Sequence, residues 1–222
     1  GILYFVPTPV GNLEDMTFRA IKVLKEVDYI LCEDTRVAKK LLDHYGIQKP
    51  LASYHHHSTP RAVKEIEGRV AEGKKVALVT DAGTPGISDP GNELIREVVR
   101  HVRGAAIIPV PGPSAAVAAL SISGFATDKF IFMGFPPHKN KRKQFFEAVR
   151  DAQYTVVFFE SGHRIIKCLG ELNDLLAAQR QIVVCRELTK LFETVYRGTA
   201  AELNAGMKEE RGEFVVVVEG LQ

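Results

Sequence analysis

Three segments of the chain place Gly and Pro where an apolar run hands over to a helix-like stretch. They are Pro7-Thr8-Pro9-Val10-Gly11-Asn12, the Asp-Ala-Gly-Thr-Pro-Gly-Ile-Ser-Asp-Pro-Gly run at 81–91, and Pro109-Val110-Pro111-Gly112-Pro113-Ser114-Ala115. In an open α/β sheet, loops at the carboxyl ends of the strands bring backbone groups and helix N-termini together around a ligand. A single loop of this kind reads equally well as a tight turn. Three of them point to one pocket. No GxxxxGK[ST] is present and the second loop lacks GxGxxG spacing, so pyrophosphate is not the favoured ligand. Small side chains, backbone groups and few cations suit a neutral or cationic adenosyl compound better.

Four further segments carry ionisable groups. Glu33-Asp34-Thr35-Arg36 ends an apolar run, and its acids either bind substrate or cap the next helix. His55-His56-His57 has the composition of a metal cluster, but adjacent residues of an extended segment face opposite ways, and no HExxH or Cys partner accompanies them; no metal is expected. His138, Lys139, Lys141, Arg142 and Lys143 concentrate five basic residues, which form either a solvated face or a hold on RNA phosphates. Glu160-Ser161-Gly162-His163-Arg164 and Arg186-Glu187-Leu188-Thr189-Lys190 follow two strand-like runs and read as a site facing the loops of the first half.

The elements that position these residues can be read from the apolar pattern. A chain of 222 residues with 45% hydrophobic and 25% charged residues supports one large domain or two of about 100 residues. The formal charge of +2 gives no global attraction to polyanions, so any such partner needs a local patch. Apolar runs fall short of the roughly 18–20 residues of a membrane-spanning helix. Cys32, Cys168 and Cys185 form an odd, scattered set without a secretory leader ahead of them, which points to a reducing cytoplasm.

Strands are predicted at 2–6, 29–32, 51–54, 76–79 and 106–110, alternating with helices, as in a mostly parallel sheet. Thr59 and Pro60 cap one helix, whose Val63, Ile66 and Val70 share a face. Asp89 and Pro90 are expected to open another, with the stripe Leu94, Ile95, Val98, Val99 and Val102. The helix after Arg36 should stop near Gly46. A second set of strands is predicted at 130–135, 155–159, 182–186, 192–196 and 214–219. Two of these lie too close for a crossover helix, so this sheet is mixed. Thr199 and Glu202 have capping-box spacing. The expectation is two α/β domains, 1–122 and 123–222, with the boundary at 123–128, where Gly124 and a short polar stretch separate the two patterns.

Taken in order, these motifs resemble the bacterial small-subunit ribosomal RNA 2'-O-methyltransferase I family, in the tetrapyrrole-methylase-like class of S-adenosylmethionine methyltransferases. The resemblance covers nearly the whole chain. It implies two α/β domains with S-adenosylmethionine in the cleft between them, a cytoplasmic homodimer, and methylation of a cytidine ribose in the decoding centre of 16S rRNA, within the small ribosomal subunit. Carried onto matching positions, it implies cofactor contacts at Pro9, Ala82, Gly83, Thr84, Ile87, Ser114, Ala115, Phe159, Glu160 and Leu188. Two departures stand out. The family reads His-x-His-Asn-Glu where this chain has His55-His56-His57-Ser58-Thr59, and it continues past a strand like 212–220, whereas this chain ends at Gln222. A shortened chain with its cofactor loops intact is the expectation.

For such a transfer, Glu160 and then Asp34 are the expected proton acceptors. Arg36, Lys139, Lys141, Arg142, Lys143, Arg164, Arg186 and Lys190 are the expected RNA-phosphate ligands. The alternatives are a methyltransferase for a small tetrapyrrole-like molecule and a non-catalytic RNA-binding protein of ribosome assembly.

Overall fold

The computed structural model describes residues 1–221 and divides into two units, Gly1–Ser114 and Ala115–Gln222. The first unit runs β1 (Ile2–Phe5), α1 (Phe18–Glu26), β2 (Tyr29–Cys32), α2 (Thr35–His44), β3 (Leu51–Ser53), α3 (Pro60–Ala71), β4 (Lys75–Leu78), α4 (Asn92–His101) and β5 (Ala106–Pro109). Its sheet has the order β3-β2-β4-β1-β5, and every pairing is parallel. A sheet covered on both faces needs strands that are apolar on both sides. Val76 and Leu78 pack with α3 and α4 through Val63, Ile66, Val70, Leu94 and Val98. Ala77 and Val79 pack with α1 and α2 through Val23, Leu24, Ala38 and Leu42.

The second unit runs α5 (Ala115–Ser121), β6 (Phe130–Phe132), α6 (Arg142–Asp151), β7 (Thr155–Ser161), α7 (Gly162–Leu175), β8 (Gln181–Arg186), β9 (Thr194–Thr199), α8 (Ala200–Gly206) and β10 (Glu213–Val218). Its sheet order is β6-β7-β10-β8-β9, parallel at β6–β7 and antiparallel elsewhere, so the mixed character read from the sequence holds. One face buries Phe158, Val184 and Val216 under α6, α7 and α8. The other buries Val157, Val183, Val215 and Val217 under α5.

Two expectations are corrected. The division falls after Ser114, not at 123–128, because Ala116, Ala119 and Leu120 of α5 pack on the second sheet. Gly124 merely follows that helix with φ +82°. The fourth helix starts at Asn92 behind an N-cap at Gly91, so Asp89 and Pro90 remain in the loop. A Cβ at Gly91 would lie 2.7 Å from Phe5 Cε1, and its φ is +149°. The backbone turns there because glycine alone permits that approach. No helix among the described residues is long and apolar enough to cross a membrane.

Candidate functional site

The ends of β1, β4 and β5 release the three Gly- and Pro-rich loops, and hydrogen bonds stitch them together. Thr8 and Gly83 exchange backbone bonds of 2.9 and 3.0 Å, which joins the first loop to the second. The Thr8 hydroxyl donates to the Thr80 carbonyl at 2.9 Å, and the Thr84 hydroxyl donates to the Pro113 carbonyl at 2.9 Å, joining the second loop to the third. Gly112 meets the first loop so closely that a Cβ would sit 2.9 Å from Pro7 Cβ. The loops therefore form one surface. On it Pro9 is buried beneath, Ala82 is exposed, Ile87 is 49% exposed, and Gly83 (φ +83°) faces open space. Ser114 closes the unit.

Carboxylates gather beside these loops, at the carboxyl ends of the neighbouring strands β2 and β4. Asp34 caps α2 and is held by Arg36, whose amide donates at 2.8 Å and whose guanidinium donates at 3.1 and 2.7 Å. These bonds pull its pKa down to about 2. Burial, then the nearby Asp81 charge, raises Glu33, which the flanking His56 and His55 partly offset. Asp81 is raised by burial and by Asp34, against a hydrogen bond from the Asp34 backbone. Asp89 is moved furthest of the four, to about 6, by burial and the charges of Glu33 and Asp81, with the Thr80 hydroxyl acting the other way.

His55, His56 and His57 lie in an exposed turn closed locally, with the His57 amide donating to His55 Nδ1 at 3.2 Å. Among the described residues, the His and carboxylate groups near enough to share an ion are Glu67, Glu97 and His101, remote in sequence from that turn.

In the second unit the strand end at β7 is differently built. Glu160 is 1% exposed. One carboxylate oxygen accepts from the Ser161 amide at 2.8 Å and pairs with Arg164 at 2.7 Å, and the other meets Arg142 at 3.4 Å. Arg142 is itself 5% exposed and is forked onto Glu171 at 2.7 Å and onto the Pro137 carbonyl at 3.2 Å. Arg164 donates also to Ser161 Oγ and the Pro136 carbonyl. A carboxylate and two guanidiniums arranged in this way hold each other, so the charge of each is largely met within the unit.

Phe159 stacks edge-on with Phe132 and Phe135, at 5.1 and 5.4 Å between ring centres. Leu188 is buried between Glu187 and Thr189, both with positive φ of 51° and 67°, so that loop is bent to a specific shape. Ala115 is the first residue of α5. Arg186 donates to the Arg211 and Phe192 carbonyls, and Lys190 bridges Glu187 and Glu213 at 3.0 and 2.8 Å. Lys139, Lys141 and Lys143 stay exposed at the start of α6, where Lys141 takes a left-handed φ of 65°. Arg36 is exposed and paired with Asp34.

A family model described as Tetrapyrrole (Corrin/Porphyrin) Methylases matches residues 2–204. A protein from Halalkalibacterium halodurans named Ribosomal RNA small subunit methyltransferase I is 46% identical over 99% of this chain and 76% of its own length. One of the same name from Escherichia coli O157:H7 is 42% identical over 99% of this chain and 78% of its own. Among solved structures, diphthine synthase superposes with a TM-score of 0.76 at 14% identity, covering 99% of this chain and 90% of that one. A cobalt-precorrin-4 methyltransferase of cobalamin biosynthesis superposes at 0.71 and 20% identity, covering 98% and 94%. At those identities the likeness is one of fold.

Proposed function

The chain belongs to the tetrapyrrole methylase family, and from that premise we propose that it methylates small-subunit ribosomal RNA with S-adenosylmethionine, at the ribose 2'-hydroxyl of a cytidine. The observation that carries the reading is the 46% identity, over 99% of the chain, to a relative named Ribosomal RNA small subunit methyltransferase I; the ribose position and the cytidine rest on the resemblance of the motifs. The corrin and diphthine enzymes share the fold at 14–20% identity and do not favour a small substrate over RNA.

The first unit's residues fit the donor. Segments 7–12, 81–91 and 111–114 contain no Lys or Arg, Asp81 and Asp89 lie within the second of them, and Glu33 is close by, a balance that favours a ligand with a sulfonium charge. Pro9, Ala82, Gly83, Thr84, Ile87 and Ser114 would hold it from this unit. Ala115, Leu188 and the backbone at Phe159 and Glu160 would do so from the second. S-Adenosylmethionine, when bound, supplies an electrophilic methyl group. The chain's task is to align an oxygen nucleophile with that carbon and to keep water away, and positioning of this kind accounts for much of such an enzyme's rate.

Lys139, Lys141 and Lys143 gather positive charge at the N-terminal end of α6, where the helix also favours anions, and this is the proposed hold on RNA phosphates, with Arg36 as a further cation. Exposed Leu191 and Phe192 in the second unit support a homodimer. The test is calorimetric titration with S-adenosylmethionine, followed by incubation of the chain with labelled donor and undermethylated small ribosomal subunits. Label in a cytidine ribose is expected. Label recovered only in a small metabolite would replace this reading with the small-substrate one.

A further inference from the structure

We propose that Phe135 is a stacking platform for an unpaired base of the RNA substrate, presented by a segment that the two arginines of the Glu160 network hold in shape. The inference rests on the reading above, that RNA is the methyl acceptor.

Phe135 follows β6 and leads into the basic stretch, and three carbonyls around it are tied to the framework of the second unit. The Phe159 amide donates to the Gly134 carbonyl at 2.8 Å. Arg164 donates to the Pro136 carbonyl at 3.3 Å, and Arg142 to the Pro137 carbonyl at 3.2 Å. Both guanidiniums are in turn fixed on Glu160, at 2.7 and 3.4 Å, and Arg142 is 5% exposed. Gly134 turns the backbone with φ +65°, and Pro136 and Pro137 then restrict two successive φ angles. The ring meets Phe159 edge-on, with ring centres 5.4 Å apart, yet 52% of the residue stays exposed. A segment braced in this way keeps an apolar ring in water at a set position, so little ordering is left to be done when a ligand arrives.

The charge around the ring selects its occupant. Residues 129–146 contain no Asp or Glu, and Lys139 and Lys141, shortly beyond the ring, are exposed. An aromatic face with cations and no acid beside it matches an unpaired nucleotide, whose base stacks and whose phosphates attract the lysines. A protein contact is the competing use, because β6 is the edge of its sheet and exposes Phe130 and Ile131; the acid-free, lysine-bearing segment favours RNA. Phe159, which the ring touches, is among the residues proposed above to hold the donor. The stacked base is therefore at or next to the methylated nucleotide.

The chain contains no Trp, so Phe135→Trp introduces a single reporter at the ring position. Its fluorescence is followed while the full chain is titrated with single-stranded polycytidylate, and separately with inorganic polyphosphate, which offers negative charge without bases. Quenching by polycytidylate and none by polyphosphate is expected. Phe135→Ala should bind undermethylated small ribosomal subunits roughly 5- to 150-fold more weakly in filter binding, the range of one base–aromatic stack, whereas Phe135→Tyr should stay near wild type. The slope of log affinity against log salt should not change in Phe135→Ala, because an aromatic ring neutralises no phosphate. Binding of subunits by Phe135→Ala equal to wild type, or quenching that is absent or equal with both polyanions, overturns the proposal and leaves RNA methylation in place. Altered sedimentation of Phe135→Ala without RNA overturns it too, by giving the ring to a protein contact. Wild type that neither binds nor labels RNA removes both readings.

Discussion

An acid at a strand end is available for chemistry only if nothing else in the fold has claimed it, and the two units decide this differently. Glu160 lies under two guanidiniums, so truncating it strands buried positive charge. Glu160→Ala should therefore cost about 3–5 kcal/mol of stability, measured by urea unfolding. That partnership was not legible in the sequence, because Arg142 and Glu171 reach the site only once α6 and α7 have packed on β7. Asp89 makes the opposite prediction. Its folded pKa of about 6 lies above the ordinary value of 3.8, so between those values the folded state holds more protons than the unfolded. Stability then falls as pH rises from about 4 to about 6, and the deficit persists above it. Asp89→Asn should raise the melting temperature at neutral pH, by the equivalent of about 1–2 kcal/mol, with the gain vanishing below about pH 4. A flat difference across pH in thermal scans would show that the carboxyl carries no such penalty.

Elements were legible where local chemistry alone sets them. Thr59 accepts from the Ala62 amide ahead of Pro60, and Thr199 with Glu202 completes a capping box, both as their spacing implied. Gly46 has the left-handed φ of 63° expected after α2. The misreadings came where long-range packing intervenes: Phe5 against Gly91 delays α4, and α5 joins the second sheet although it follows the first unit's last loop. The three-loop surface was foreseeable as a cluster, but not its fastening. Thr84→Val removes a side-chain bond from the second loop to Pro113. With a hydrogen bond worth about 0.5–1.5 kcal/mol, S-adenosylmethionine binding should weaken roughly two- to tenfold in calorimetry, with little change in melting temperature.

For the whole molecule, a net charge of +2 means that recognition of a polyanion rests on where cations are free, not on how many there are. Composition nominated eight cations, and folding sorts them. Arg142 and Arg164 neutralise Glu160, Arg186 holds the Arg211 and Phe192 carbonyls, and Lys190 ties Glu187 to Glu213. Lys139, Lys141 and Lys143 remain in solvent, with only a 3.7 Å pair from Lys143 to Glu147. Each phosphate neutralised adds about 0.7–0.9 to the slope of log affinity against log salt. Replacing the three lysines with Ala should therefore flatten that slope by about 2–3 in RNA-binding titrations, without loss of fold. Arg142→Ala, one residue away in the same stretch, should instead behave as a core lesion, lowering the unfolding midpoint because Glu160 and Glu171 lose their shared partner. If the triple lysine variant kept the wild-type slope, the RNA contact would lie on another surface, and the basic run at 138–143 would be a solvated helix start beside a buried ion network.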